Sequence, residues 1–353
     1  MKLKSQTLLI AVSLVLFASR LAVAANVTVV KNEWGEQVIE ISGTVQKGDA
    51  IKVKQLSAQL ILSQSQYAPK ALHFHINSGG GDIDEAIQIG RFFREILASV
   101  DSYGTIIIAP GSEDERLLIK PDEPWRNRDY RVVPAGAQLT DEHVVKNYSA
   151  GILMFYGAVR RSHRDNSDQR LGFYRKQSIP VMGVHRPYYD RETFAKLSPA
   201  QAAEAYKRLE EVVRSYLVEM GAPQALLDRM FTSSSDRIDL VPADEFRTFY
   251  KRQESFLEEW LIAKCGTSGN YSTVLDRQEQ EDFRKMEMWQ IKARMKGGQE
   301  IGSLYPDPNF PDAYVKDLYT KIRSHNRRVD ACRETAVSTH QRNWATSVRQ
   351  AIN

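Results

Sequence analysis

Residues 72–96 read LHFHINSGGGDIDEAIQIGRFFREI, and this stretch constrains the fold more than any other. Leu72, Phe74 and Ile76 alternate with Ala71, His73 and His75, a period of two that predicts a strand over 71–77. After the glycines, Ile83, Ala86, Ile87, Gly90, Phe93, Ile96 and Leu97 recur at helical spacing, with Asp82 at the positive end of the helix dipole. Gly79, Gly80 and Gly81 stand at the joint. Glycine lets backbone N–H groups approach a ligand with no Cβ in the way, so the joint is expected to be a tight turn facing something. A strand–glycine–helix unit of this kind belongs to an α/β architecture with parallel pairing.

The rest of the chain keeps that rhythm. Residues 27–45 read as two short strands around a turn at Trp34-Gly35, 50–66 as a helix, and 102–109 (SYGTIIIA) as the next strand. Prolines, glycines and charges then interrupt the pattern, which marks an insertion at about 110–146. HVVKNYSAGILMFYGAVRR reads as a short strand followed by a compact small-residue helix, and SIPVMGVHRP as a buried strand ending in His185. A long helix follows, with Ser198 as its cap, Pro199 in its first position, and Gly221 and Pro223 at its end. Beyond about 250 the pattern is helical and charge-rich. The expected organisation is an α/β domain over 25–250 and an α-helical extension over 251–353, read as a lid or an oligomer contact.

Compartment follows from the first residues. Lys2 and Lys4 precede the apolar run TLLIAVSLVLFA, which is short for a membrane span, and Ala22-Val23-Ala24 has the small-x-small form of a signal-peptidase site. Residues 1–24 are therefore expected to be a removed signal peptide. No second hydrophobic run occurs, so the expected location is periplasmic or secreted, with no membrane attachment after cleavage. The formal charge of +4 loses Lys2, Lys4 and Arg20 with the leader, three positive charges, leaving +1. A nucleic-acid partner would want a concentrated basic face, and none is expected here. The chain has 2 cysteines, Cys265 and Cys332. In an exported chain such a pair can form a disulfide, or remain as two buried thiols.

The glycines can serve different ligands, and their neighbours discriminate. No Lys follows SGGGDIDEA, and Asp82, Asp84 and Glu85 would repel a phosphate. His73-x-His75 is half a metal site without a third ligand nearby. No cofactor or metal is expected. An oxyanion-hole donor remains, alongside a tight turn with no ligand. Ser149 lies between a short strand and a helix start, where it can be an exposed nucleophile or a helix N-cap. The Ala150 N–H can point at the same spot as the Gly80 N–H, and two preorganised donors are what acyl transfer needs. His185 is the best-placed base among the histidines, and Asp236 or Asp239 in SSSDRIDLVPADEF can orient it.

At these residues the chain resembles the Clp protease proteolytic subunit-like (ClpP/crotonase) superfamily, in particular its predicted periplasmic branch. INSGGGDIDEAIQIGRFFR is similar to the family's Ile-Asn-Ser-Pro-Gly-Gly stretch, YSAGILMFYGAVRR to its nucleophile segment, and GVHRP to its histidine strand. The order Ser, His, Asp is also the family's. The resemblance spans roughly residues 30–250. It implies a core of stacked ββα units and a triad of Ser149, His185 and Asp236, with Asp239 as alternate. It also implies oxyanion donors at Gly80 and Ala150, a peptide or protein substrate, and self-association into a homo-oligomer. Gly79 departs from the family's Pro, and Asn147 and Gly151 stand where the periplasmic branch often has Cys. The function expected is a serine hydrolase, most naturally a peptidase. The alternatives are a non-catalytic binding or assembly protein on the same scaffold, and an α/β-hydrolase esterase, whose Ser, Asp, His order would require His325 or His340. An acyl-CoA enzyme of the crotonase type fits poorly with export, because coenzyme A is cytoplasmic.

Overall fold

The computed structural model describes residues 25–31, 36–65, 70–103, 106–108, 130–132, 147–164, 182–189, 191–235, 237–241, 243–266, 274–297 and 310–352. The expected signal peptide, most of the expected insertion, and Asp236 lie outside these residues. Strands β1 (Asn26–Lys31) and β2 (Gln37–Val45) form an antiparallel hairpin, and helix α1 (Asp49–Ser63) leads to β3 (His73–Gly81) and α2 (Ile83–Glu95). Then come β4 (Ser99–Tyr103), β5 (Ile106–Ile108) and β6 (Tyr130–Val132), the last two pairing with each other in a small separate sheet. Strand β7 (Asn147–Tyr148) runs directly into α3 (Ala150–Gly157), followed by β8 (Arg160–Arg164) and β9 (Met182–Val184). The remainder is α4 (Arg191–Ala195), α5 (Pro199–Glu219), α6 (Gln224–Thr232), β10 (Asp239–Val241), α7 (Ala243–Phe249), α8 (Ser255–Cys265), α9 (Arg277–Gly297) and α10 (Asp312–Ile352).

The molecule is mixed α/β, with β3 at the centre of its main sheet. One edge of β3 pairs in parallel with β2. The other edge is shared: His73–His75 pairs with β4, and Ser78, farther along, pairs with β7. Strand β7 continues the sheet to β9 in parallel, and β10 closes it antiparallel to β9. The alternation at 72–76 does what the sequence requires of it. Leu72, Phe74 and Ile76 are buried, and Phe74 meets Phe92 and Phe93 of α2.

The glycines correct the expected turn. Strand β3 runs on through Gly81, with Ser78 opposite Gly43 and Gly80 opposite Thr44. Gly79 is thus the extra residue of a β-bulge, a device that bends a strand and re-aims its end. At Gly81, φ is +131° and a Cβ would fall 2.2 Å from the Val45 carbonyl oxygen, so only glycine lets β2 stay paired there. Asp82 then caps α2, its carboxylate accepting the Glu85 N–H at 2.9 Å.

Helix α10 packs against the α/β body, and among the described residues the C-terminal helices line no part of the cavity described below, so the expectation of a lid finds no support there. Gln341 of α10 is fully buried, accepts the Leu72 N–H at 2.8 Å and donates to the Ile96 carbonyl at 3.0 Å. Trp344 packs on Phe92, with ring centroids 4.9 Å apart. Cys265 and Cys332 are bonded to each other, tying α8 to α10 with Cα atoms 5.7 Å apart. Among the described residues, no helix is long and apolar enough to cross a membrane.

Candidate active site

Strands β3, β7 and β9 are neighbours and parallel, so their carboxyl ends share one edge of the sheet, where open α/β sheets bind ligands. The glycine bulge ends β3, Ser149 follows β7, and His185 follows β9. The three segments line one cavity of about 780 Å³, together with Asp82, Asp84, Tyr188, Tyr189 and Arg208.

Ser149 sits in a strained corner. Its φ is 49° and ψ −109°, a region that residues bearing a Cβ rarely adopt. Its N–H donates to the Gly183 carbonyl at 3.2 Å, and its own carbonyl accepts the Ile152 N–H at 3.0 Å, opening α3. The hydroxyl makes no capping bond, so the N-cap role open to it on sequence grounds is not the one it takes.

The strain is held from behind. All eight residues of α3 are buried. Tyr216 donates its hydroxyl to the Leu153 carbonyl at 2.8 Å, and Tyr156 donates to the Phe249 carbonyl at 2.6 Å. Burial pushes both phenols well above their ordinary pKa, so they remain donors. At the far end of α3, Arg94 and Arg161 reach the last carbonyls of the helix, where positive charge complements the dipole. Glu254 pairs with Arg161 at 2.7 Å, opposing the desolvation that lowers the guanidinium's pKa. Gly157 lets α3 touch α2 directly, because a Cβ there would lie 2.2 Å from the Gly90 carbonyl oxygen.

Gly80 approaches the serine closely. An ideal Cβ on Gly80 would stand 3.3 Å from Ser149 Cβ and 3.6 Å from its Oγ. The expectation for its N–H needs correction, however. That N–H donates to Ser78 Oγ at 3.2 Å, and the same hydroxyl donates to the Gly80 carbonyl at 3.1 Å. The fully buried Ser78 thus ties off the bulge, and the alternating pattern, which places it on the inner face of β3, was the only sign of it. Ala150, also fully buried, is the first residue of α3, where a backbone N–H has no intrahelical acceptor.

His185 is 8% exposed, and its Nδ1 lies 3.0 Å from the Arg186 carbonyl oxygen. A carbonyl can only accept, so Nδ1 carries a proton, and in the neutral ring Nε2 then keeps the lone pair. The expected orienting carboxylate is not Asp239. That residue pairs with Val184, one position before His185, but its carboxylate is engaged by Arg229 at 2.8 and 3.1 Å. The bidentate guanidinium holds the Asp239 carboxyl below the usual carboxylate range. The Arg186 carbonyl was invisible to sequence reasoning, because any residue there supplies one. His340, which an α/β-hydrolase would need, lies elsewhere, with Nε2 2.8 Å from the Glu95 carbonyl. Neither His325 nor His340 lines the serine's cavity. His73 lines a different cavity, with Glu36 and Lys70, and among the described residues no cluster of His, Cys, Asp and Glu is placed to hold a metal.

No protein-family model matches the chain, and no curated protein matches it.

Proposed function

We propose that the chain is an exported serine hydrolase with a ClpP/crotonase-like core, acting on peptide or protein substrates. The observation that carries the reading is Ser149. A non-glycine residue held at positive φ, between a parallel strand and a buried helix, with its hydroxyl unused in capping, has strain without a structural benefit. The same corner lies beside Gly80 and shares its cavity with a histidine whose Nδ1 is already oriented.

In this reading Ser149 Oγ attacks the substrate carbonyl while His185 Nε2 takes its proton. The resulting imidazolium is steadied by its Nδ1–H bond to the Arg186 carbonyl, the partner Nδ1 has among the described residues, Asp236 lying outside them. The negative charge forming on the substrate oxygen meets the Ala150 N–H at the positive end of α3. Gly80 contributes a second N–H only if the substrate oxygen displaces Ser78 Oγ from it. His185 then returns the proton to the leaving group, and water repeats the sequence to free the serine.

The test is covalent labelling by a fluorophosphonate, located by peptide mass. The expected result is modification at Ser149, lost in Ser149→Ala and slowed at least a hundredfold in His185→Ala. Labelling elsewhere, or none, would move the reading to a binding or assembly protein on the same scaffold. The engagement of Asp239 by Arg229 is the observation favouring that second reading.

A further inference from the structure

Ala25 precedes β1 and is 5% exposed, and its backbone nitrogen donates to Asp49 Oδ2 at 3.2 Å. Asp49 opens α1 and is 0% exposed. Its Oδ2 also accepts the Gln46 N–H at 2.8 Å, and its Oδ1 meets Lys52 Nζ at 2.8 Å. A second buried carboxylate, Glu85 of α2, accepts the neighbouring Ala50 N–H at 2.8 Å. Two buried carboxylates therefore stand at the start of α1 near Lys52, whose side chain is 52% exposed. Buried carboxylates are costly unless fully paired. The residue whose nitrogen rests on Asp49 is also the one that follows the small-x-small pattern Ala22-Val23-Ala24. A sequence pattern and a tertiary contact thus meet on one peptide nitrogen.

We propose that the Ala24–Ala25 bond is cleaved on export and that the freed α-ammonium of Ala25 forms a buried ion pair with Asp49. The step is hydrolysis by a leader peptidase: water adds its hydroxyl to the Ala24 carbonyl carbon, the C–N bond breaks, and the Ala25 nitrogen takes up protons. An amide offers Asp49 one N–H; the ammonium offers three and a full charge. The contact bears on the cavity, because Gln46 follows Val45, whose carbonyl accepts the Asp82 N–H at 2.8 Å and which pairs with Gly81. Processing would therefore lock the corner beside the glycine bulge. None of this depends on the chemistry of Ser149.

The experiment expresses the full chain with its leader in an exporting host. Intact mass of the purified protein is expected to give a chain beginning at Ala25; any other terminus overturns the proposal. A second chain carries Gly-Ser inserted between Ala24 and Ala25, which moves the charge away from Asp49. Both are made with Asp49 and with Asp49→Asn, and unfolded in urea. The insertion is expected to lower the folding equilibrium constant about a hundredfold with Asp49 and about threefold or less with Asp49→Asn. Equal losses in the two backgrounds overturn the ion pair. If Asp49→Asn does not fold, pH decides. An α-amino group ordinarily titrates near pH 8, and a carboxylate partner raises that value in the folded state. The advantage of the native terminus is then full at pH 6 and lost as pH rises through the folded value. Lys52 and Glu85 are the charged neighbours, and because the parent and the insertion chain both carry them, the comparison isolates the terminus. A penalty for the insertion unchanged between pH 6 and pH 10 overturns the proposal.

Discussion

Ser149→Gly should make the protein more stable while removing its nucleophile. With φ at 49°, the serine's Cβ is held in a region that costs about 1–2 kcal/mol. Because the hydroxyl caps nothing, no hydrogen bond to the helix is lost with it. Glycine accepts this φ freely, but it also gives the unfolded chain extra freedom worth about 0.5–1 kcal/mol. The difference leaves the glycine variant more stable by about 1 kcal/mol, roughly a fivefold change in the folding equilibrium. Ser149→Ala retains both Cβ and strain and should stay within about 0.5 kcal/mol of the parent. A capping serine would behave otherwise, since its replacement by Ala costs about 1 kcal/mol and by Gly a few tenths. Urea unfolding at constant m-value separates the cases. A Ser149→Gly protein no more stable than the parent would refute the strain argument, and with it the chief support for Ser149 as nucleophile.

Further outcomes follow from the packing behind the site. Gly157→Ala places a Cβ against the Gly90 carbonyl and should cost at least about 1–3 kcal/mol, read as a lower urea midpoint with slower Ser149 labelling. Reducing the Cys265–Cys332 bridge, which spans a separation of 67 residues, should cost about 2–4 kcal/mol, and a Cys265→Ala/Cys332→Ala double variant should lose its sensitivity to reductant. Asp239→Asn should leave Ser149 labelling unchanged and cost about 1 kcal/mol or less, because the pair is partly exposed and solvent screens it. Arg229 lowers the folded pKa of Asp239, so that small contribution is present above about pH 4, the unfolded value, and disappears as pH falls through the lower folded value. Parent and variant should accordingly converge in stability at acid pH.

Local pattern was enough to find the elements that carry the candidate site. Period two at 72–76, helical spacing after Asp82, and Ser198-Pro199 before the long helix each encode a structure through contacts with near neighbours, and β3, α2 and α5 lie where those patterns put them. The same local reading singled out Ser149, Gly80 and His185, because strand ends and glycine runs are where backbone and polar atoms can face a cleft. It could not tell a turn from a bulge at Gly79, since that depends on where β2 keeps its hydrogen bonds. Nor could it choose a partner for His185. Sequence order offered Asp236 and Asp239, yet the cross-strand position of Asp239 and the reach of Arg229 decided where that carboxylate went. The Ser78 hydroxyl on Gly80, the Arg186 carbonyl on His185 and the Asp49 carboxylate on Ala25 were likewise set by the fold. Patterns along a chain specify which face a residue turns inward; which atom it meets there is fixed only when distant segments pack.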